Sequence, residues 1–222
     1  MCQDRPRSLR SRAPHAVYLI LGIALMLGLN GCGGTLFGSS EPAMKSYVLE
    51  AKIEPRRAAR PTAGVLVVAL PRAQPGFNTQ LIAYTETPLA IDYYTKSEWV
   101  DSPAMMLAPL VEDAIADTGA FQAVVIPPSP SPGDVRLEID IIRLQQEFMT
   151  TPSQVRLTLR AKLFDVRTGD VLGTQLFEAV ETAPSEDAYG GVQASNVALK
   201  RVLEQLTDFV VSNAPQQRGR RS

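Results

Sequence analysis

The sequence of 222 residues contains little histidine and little cysteine, one and two residues respectively. His15 and Cys2 both lie in residues 1–31, so a chain beginning at Cys32 would hold no imidazole and a single sulfhydryl group. Nucleophilic catalysis by a Ser-His-Asp or Cys-His arrangement is then excluded. A zinc site built from imidazoles or from several thiolates is excluded too, and so is a disulfide within the chain.

An excess of positive charge is also missing. Lys and Arg number 22 and Asp and Glu number 23, which gives a formal net charge of −1 at pH 7. Binding to a nucleic-acid backbone depends on basic side chains that replace its counterions. We therefore expect no nucleic-acid partner.

Motifs for catalysis and cofactor binding are absent as well. The sequence contains no G-x-S-x-G, no S-x-x-K, no P-loop and no G-x-G-x-x-G. Two carboxylate pairs, Glu98 with Asp101 and Asp165 with Asp170, have the residue types of an acid/base pair. Their positions beside a predicted helix start and a predicted hairpin turn favour capping and turn roles. We expect no enzyme activity, no metal and no cofactor.

The amino terminus has the three-part layout of a secretory signal. Residues 1–15 carry four arginines, and residues 16–29 form a run of 14 apolar and glycine residues. A membrane-crossing helix needs about 20 apolar residues, so this shorter run, followed by small residues, is typical of a signal peptide. We predict a signal peptide over residues 1–31; an uncleaved membrane anchor is the alternative interpretation.

The stretch Leu29-Asn30-Gly31-Cys32 resembles the bacterial lipobox. The resemblance implies cleavage between Gly31 and Cys32, and attachment of fatty acids such as palmitate at Cys32. Two acyl chains already give stable membrane attachment. Residue 33 is Gly rather than Asp, and by resemblance to Gram-negative sorting rules this implies the periplasmic face of the outer membrane rather than the inner membrane.

The remaining chain divides into a tether, a domain and a tail. Residues 32–46 are rich in Gly and Ser and predict a lipidated flexible tether, which could extend about 50 Å. Residues 47–213 alternate between strand and helix patterns and predict one folded domain. Residues 214–222 are rich in arginine and predict a disordered basic tail.

Apolar runs and apolar/polar alternation predict the strands of the domain. Alternation over residues 135–141 changes phase at Ile141 and Ile142, which predicts a β-bulge there. A turn at residues 167–170 joins two alternating segments into a long hairpin. The predicted strands cover residues 47–49, 65–70, 79–85, 89–94, 124–126, 135–141, 155–163 and 171–180.

Two helices complete the pattern. Ser102-Pro103 is a helix start and Thr118-Gly119 a helix stop, although Pro109 predicts either a kink or a regular part that begins near Ala108. Apolar residues at helical spacing over 192–210 predict a long closing helix. The order of elements favours the α+β class, with a mixed β-sheet and two helices packed on it.

Three aromatic residues stand close together in the sequence, Tyr93, Tyr94 and Trp99. Aromatic side chains of this kind anchor domain cores, and they also line surfaces that contact lipids or partner proteins. Both interpretations stay open, with core packing favoured.

The layout resembles the ABC-type transport auxiliary lipoprotein family, which accompanies intermembrane lipid transport systems built around MCE-domain proteins. The resemblance is spread over nearly the whole chain after the signal peptide. It is carried by Cys32, Tyr47-Val48-Leu49, Leu70-Pro71, Ser97-Glu98-Trp99, Leu163-Phe164-Asp165, Leu176-Phe177, Ala194-Ser195-Asn196 and Ala198-Leu199.

The resemblance implies a non-enzymatic periplasmic subunit, held at the outer membrane by acylated Cys32. Such a subunit would dock an MCE-domain protein and an ABC permease and ATPase, while phospholipid or another hydrophobic molecule passes between membranes. Direct contact with phospholipid and assembly into a homo-oligomer stay open. The alternative is a structural or regulatory envelope lipoprotein that binds a cell-wall enzyme or an outer-membrane assembly factor.

Overall fold

The computed structural model describes residues 43–54, 57–58 and 64–215. The predicted signal peptide, the lipobox with Gly31 and Cys32, most of the tether and residues 216–222 lie outside the described residues. The elements in chain order are β1 (Lys45–Tyr47), β2 (Val65–Val68), β3 (Arg72–Ala73), a 3-10 turn (Pro75–Phe77), β4 (Leu81–Thr85), β5 (Asp92–Trp99), α1 (Pro103–Ala116), β6 (Ala123–Val125), β7 (Val135–Glu147), β8 (Gln154–Asp165), β9 (Val171–Thr182) and α2 (Ala188–Asn213).

Strand β7 organises the mixed sheet. Along one edge it pairs antiparallel with β8 over its whole length, and β9 follows β8 as the next antiparallel strand. Along its other edge it pairs in succession with the short parallel strands β2, β3 and β4. Strand β6 extends the sheet beyond β2, while β5 and then β1 extend it beyond β4. The α+β class with a mixed sheet and two helices is confirmed.

The bulge predicted at Ile141 and Ile142 is present in β7. Ile141 pairs with Leu159 and Arg143 with Thr158, so Ile142 is an extra residue without a partner in β8. The insertion turns Leu144 to the same side as Ile141, where both are buried. The apolar face of the strand therefore continues past the bulge, while Arg143 is exposed.

The core lies between one face of the sheet and the two helices. Helix α1 packs on β2 and β6, helix α2 packs on β8 and β9, and the helices touch each other. Burying one large apolar side chain contributes about 1.5–3 kcal/mol. The largest fully buried side chains come from β2, both helices and the β7–β9 meander: Leu66, Leu107, Ile115, Leu137, Ile139, Ile141, Leu159, Leu163, Phe177, Leu199, Leu203 and Leu206.

Several element boundaries differ from the sequence prediction. Residues 89–91 belong to a loop, and the strand predicted there runs instead from Asp92 to Trp99. Helix α1 is continuous from Pro103, so the alternative start near Ala108 is wrong, because Ala104 and Leu107 in the first turns bury apolar side chains in the core. The kink at Pro109 stays a prediction. Strand β1 begins at Lys45, inside the segment predicted as tether.

Gly133 occupies a position where the backbone conformation and the neighbouring strand disfavour any residue with a Cβ atom. It enters β7 with φ +74°, and a Cβ atom added to it would lie 2.5 Å from Val67 Cγ2. The next residue, Asp134, accepts a hydrogen bond from the Val65 backbone N–H at 2.8 Å through its carboxylate. These contacts fix the start of β7 against β2. Gly169, in the β8–β9 turn, has a similar φ of +77° but no atom near the position of an added Cβ.

We predict that Gly133→Ala destabilises the domain more than Gly169→Ala. Both alanines would occupy the left-handed region, at a cost of about 1–2 kcal/mol, but only the alanine at position 133 would also overlap Val67, which adds about 1–3 kcal/mol. Urea unfolding of the purified variants measures both losses. Equal losses would show that the contact of Gly133 with β2 does not constrain the fold.

Candidate functional site

The three aromatic residues singled out in the sequence have different surroundings. Trp99 is 2% exposed and belongs to the core, as the core interpretation predicts. Tyr93 and Tyr94 are half-buried. The hydroxyl of Tyr93 donates to the Gly76 backbone carbonyl at 3.0 Å, whereas the ring of Tyr94 packs against Tyr84 at a centroid distance of 4.8 Å.

An irregularity in β5 explains why these residues do not share one face. Ala83 pairs with Tyr93 and Leu81 pairs with Glu98, so β5 inserts extra residues opposite β4. Regular alternation would place Tyr93 and Trp99 on one side and Tyr94 on the other. The irregularity changes the phase, and both Tyr94 and Trp99 pack against the core.

A buried polar chain connects β5, β7 and the turn that follows β7. The Tyr94 hydroxyl donates to Gln146 Oε1 at 2.9 Å, and Gln146 Nε2 donates to Ser153 Oγ at 2.8 Å. Gln146 is 2% exposed and Ser153 is fully buried. An added Cβ on Gly191 of α2 would overlap Gln146, so the first turn of this helix rests directly on the polar chain.

The start of α2 adds negative charge at this end of the sheet. The Asp187 carboxylate caps the helix by accepting from the Gly190 N–H at 2.8 Å. The Ser185 hydroxyl donates to the same carboxylate, and it is the main reason why the pKa of Asp187 lies below its usual value. Burial, and secondarily the charge of Asp187, raises the pKa of Tyr94. Tyr94 therefore stays protonated and acts as a hydrogen-bond donor.

An exposed apolar surface, which we call the apolar tip, lies at the same end of the sheet. It consists of Pro88, Leu89, Ala90 and Ile91 in the β4–β5 loop together with Met149 after β7. Leu89 is fully exposed, Met149 is 48% exposed and Ile91 is 38% exposed. These residues border a groove of about 370 Å³ that Phe77, Ile142 and Arg143 also line.

The tip was not predicted from the sequence, because the apolar residues at 89–94 indicated a strand. An apolar run does not reveal by itself whether it is buried in a sheet or exposed in a loop. Pro88 was the available signal, since proline removes a backbone donor and favours a turn over a central strand.

The face of the sheet opposite the helices is charged. The Arg156 guanidinium lies between two carboxylates, with Nε 3.0 Å from Glu147 Oε1 and Nη1 2.8 Å from Glu178 Oε1. Arg72 Nη2 lies 3.2 Å from Asp140 Oδ1 on the same face. These ion pairs join neighbouring strands, and they keep the uncovered side of the sheet hydrated.

In each carboxylate pair considered from the sequence, one aspartate has a local backbone role, while Glu98 accepts from the Ser46 hydroxyl at 3.2 Å. Asp101 accepts from the Ser102 N–H at 2.6 Å. Asp165 accepts from the N–H groups of Arg167 and Thr168 at 2.9 and 3.0 Å in the hairpin turn. Within residues 43–54, 57–58 and 64–215, no three His, Cys, Asp or Glu side chains are grouped so that they could hold a metal ion. In that same part of the chain, neither helix combines the length and apolarity that crossing a membrane requires.

Comparisons with known proteins agree with this architecture. The model of a family described as ABC-type transport auxiliary lipoprotein component matches residues 47–207. The chain is similar to the crystal structure of protein XCC0632 from Xanthomonas campestris, with a TM-score of 0.69 and 23% identity, covering 76% of this chain and 96% of that one. The structure of an uncharacterized protein is similar with a TM-score of 0.60 and 10% identity, covering 76% of this chain and 99% of the other. No curated protein matches the sequence.

We predict that Tyr94→Phe destabilises the domain by about 1 kcal/mol at neutral pH, because Gln146 loses a buried hydrogen-bond donor. The variant should also change the response to alkali. A tyrosine whose pKa is raised in the folded state stabilises the fold below pH 10, and this contribution is lost as the pH rises above 10. Wild type should therefore lose more stability above pH 10 than the variant does, as measured by urea unfolding at pH 7 and over pH 9–11.

Tyr189→Phe provides the matched control, because the side chain of Tyr189 is 53% exposed. It should leave stability nearly unchanged at both neutral and alkaline pH. An equal effect of the two substitutions would contradict a structural role for the Tyr94 hydroxyl.

Proposed function

Because this chain belongs to the ABC-type transport auxiliary lipoprotein component family, we propose that it is a non-enzymatic subunit of an ABC transport system, anchored by lipid at the periplasmic face of the outer membrane. The observation that carries this proposal is the extent of the family match. Residues 47–207 include strands β2 to β9, helix α1 and most of helix α2. The match therefore concerns nearly the whole folded domain and not a short motif.

The amino-terminal segment supports the anchoring part of the proposal. Acylation at Cys32 would fix one end of the chain to the bilayer. Strand β1 begins at Lys45, so residues 33–44 are available as a tether that could extend about 40 Å. Such a tether keeps the domain at a high local concentration near one membrane, which is useful to a subunit that brings other proteins to that membrane.

The interior of the domain supports a docking role over a carrier role. In the described part of the chain, a void between the sheet and the helices measures about 10 Å³ and is bordered by Leu107, Leu157 and Leu199. A cavity of this size holds at most about one water molecule, far less than an acyl chain. We propose that the hydrophobic cargo passes through partner proteins, an MCE-domain protein with its ABC permease and ATPase, and that this chain positions them.

The anchor is tested by substituting the cysteines. Cys32→Ala should remove the added acyl mass in intact-mass analysis, retain residues 1–31 and lose outer-membrane location in membrane fractionation. Cys2→Ala is the matched control and should behave as wild type, because Cys2 lies ahead of the proposed cleavage site. Gly33→Asp should move the acylated protein toward the inner membrane. Outer-membrane location of the Cys32→Ala protein would contradict the anchor.

The docking role is tested by chemical crosslinking in cells, followed by purification of the tagged, acylated protein and mass spectrometry. We expect an MCE-domain protein together with an ABC permease or ATPase. Deletion of the MCE partner should abolish co-purification of phospholipid with the complex. Recovery of a cell-wall enzyme or an outer-membrane assembly factor in place of transport proteins would overturn the proposal, as would hydrolysis of phospholipid by the purified chain.

A further inference from the structure

We infer that the apolar tip is a second, non-covalent membrane contact: Leu89, Ile91 and Met149 enter the interfacial region of the bilayer to which Cys32 is attached. This inference rests on the proposed function for the identity of the membrane. It adds a lipid-binding surface within the folded domain itself.

Four consecutive apolar residues are exposed in the β4–β5 loop. Residues 88–91 are all exposed, and Leu89 is exposed completely. A run of this kind on a soluble surface is unfavourable unless it serves a function. Met149 contributes a further exposed side chain from the turn that follows β7. Together these residues border one groove, which polar side chains such as Gln74, Gln145 and Glu147 also line, so the apolar residues are grouped and not scattered.

The backbone of Leu89 has an unusual conformation. Its φ is +67°, a left-handed conformation that no other described residue except glycine adopts. A branched side chain in this region is disfavoured. The surrounding loop holds a leucine in that conformation while its side chain is fully exposed, so the fold tolerates strain at this residue. Strain of this kind is concentrated at ligand-binding positions.

The strand topology places the two parts of the tip side by side and shows from which direction the chain reaches β1. Strands β4 and β7 run parallel and end together, with Thr85 paired to Glu147, so the two parts of the tip are neighbours. Strand β1 runs parallel to β5, with Lys45 paired to Ser97. Ala43 and Met44, which precede β1, therefore lie on the side of Lys45 that faces the beginning of β5.

The length of the tether permits the contact. Cys32 and Ala43 are eleven residues apart, a separation that could extend to about 38 Å. Lys45 lies close enough to Asp187, at the tip end, to help lower the pKa of that carboxyl group, so acylation at Cys32 keeps the bilayer within reach of Leu89 at high local concentration. A bilayer is accordingly the occupant that chain connectivity favours over a second protein.

The charged side chains around the tip determine which lipid headgroups it can approach. Glu86 and Asp92 flank the exposed loop, and Glu186 and Asp187 lie at the same end, where Lys45 is the cation near Asp187. The guanidinium of Arg143, at the border of the groove, is 3.6 Å from the Glu147 carboxylate. Contact should therefore depend on apolar insertion and not on anionic headgroups, and anionic lipid should weaken it.

A fluorescent probe at position 89 tests the inference. The only cysteine expected in the processed chain, Cys32, would be acylated, so Leu89→Cys can be labelled selectively with the environment-sensitive dye NBD. The acylated protein is then reconstituted into phosphatidylcholine vesicles. We expect a blue-shifted, brighter emission that doxyl-labelled lipids quench, with a smaller shift when phosphatidylglycerol is added at low salt.

Val171→Cys supplies the matched control, because Val171 is 60% exposed and lies at the opposite end of the β8–β9 hairpin. Its probe should keep a water-like emission in the same vesicles. A water-like emission from position 89, in protein that still floats with vesicles, would overturn the tip contact and leave the anchor intact.

Two further outcomes also count against the inference. Protein that fails to float with vesicles would overturn the lipid anchor and the tip contact together. An emission shift at position 89 that appears equally without vesicles would place Leu89 in a protein contact and overturn the membrane assignment.

Discussion

The fold depends on strand β7 satisfying two different sets of partners at once. One edge pairs with a single long antiparallel strand, and the other edge pairs with three short parallel strands placed end to end. If β7 continued through Ile142 without the bulge, strict alternation would turn Arg143 toward the helices and Leu144 toward water. The bulge prevents this, because it restores the inward direction of Leu144 and Gln146 while the hydrogen-bonded ladder to β8 continues.

The same bulge determines which side chains are buried at the end of the sheet where β7 ends. Gln146 faces inward because of it, and there it accepts from Tyr94, donates to Ser153 and supports the first turn of α2 at Gly191. Its buried amide would be costly without these partners. With them, the polar chain joins β5, β7 and α2 directly behind the exposed loop. The loop of the apolar tip thus leads into a hydrogen-bonded part of the fold, because Tyr94 follows Ile91 by three residues.

The sequence predicted those elements whose position follows from apolar/polar alternation and turn residues within a short segment. Alternation over 135–141 and its phase change at Ile142 identified β7 and its bulge, and the turn at 167–170 identified the β8–β9 hairpin. The parallel pairing of Lys45 with Ser97 joins residues far apart in the chain, and nothing local indicates it. The tip was missed for a related reason: apolar residues at 89–91 look alike in a buried strand and an exposed loop. The family resemblance named the class of protein, but it carried no information on which surface meets a membrane.

A single flexible tether leaves a domain free to rotate, so its position does not define its orientation. A second contact at the tip would remove most of that freedom. Helix α2 begins beside Gln146 at the tip end and its 26 residues extend about 39 Å, to Asn213 near Gly173 at the start of β9. With the tip at the bilayer, the hairpin turn at 167–170 and the end of α2 would face away from the membrane. Partner proteins would then meet that far end or the charged face around Arg156, and the two points of attachment would determine the height and the direction at which the domain presents these surfaces.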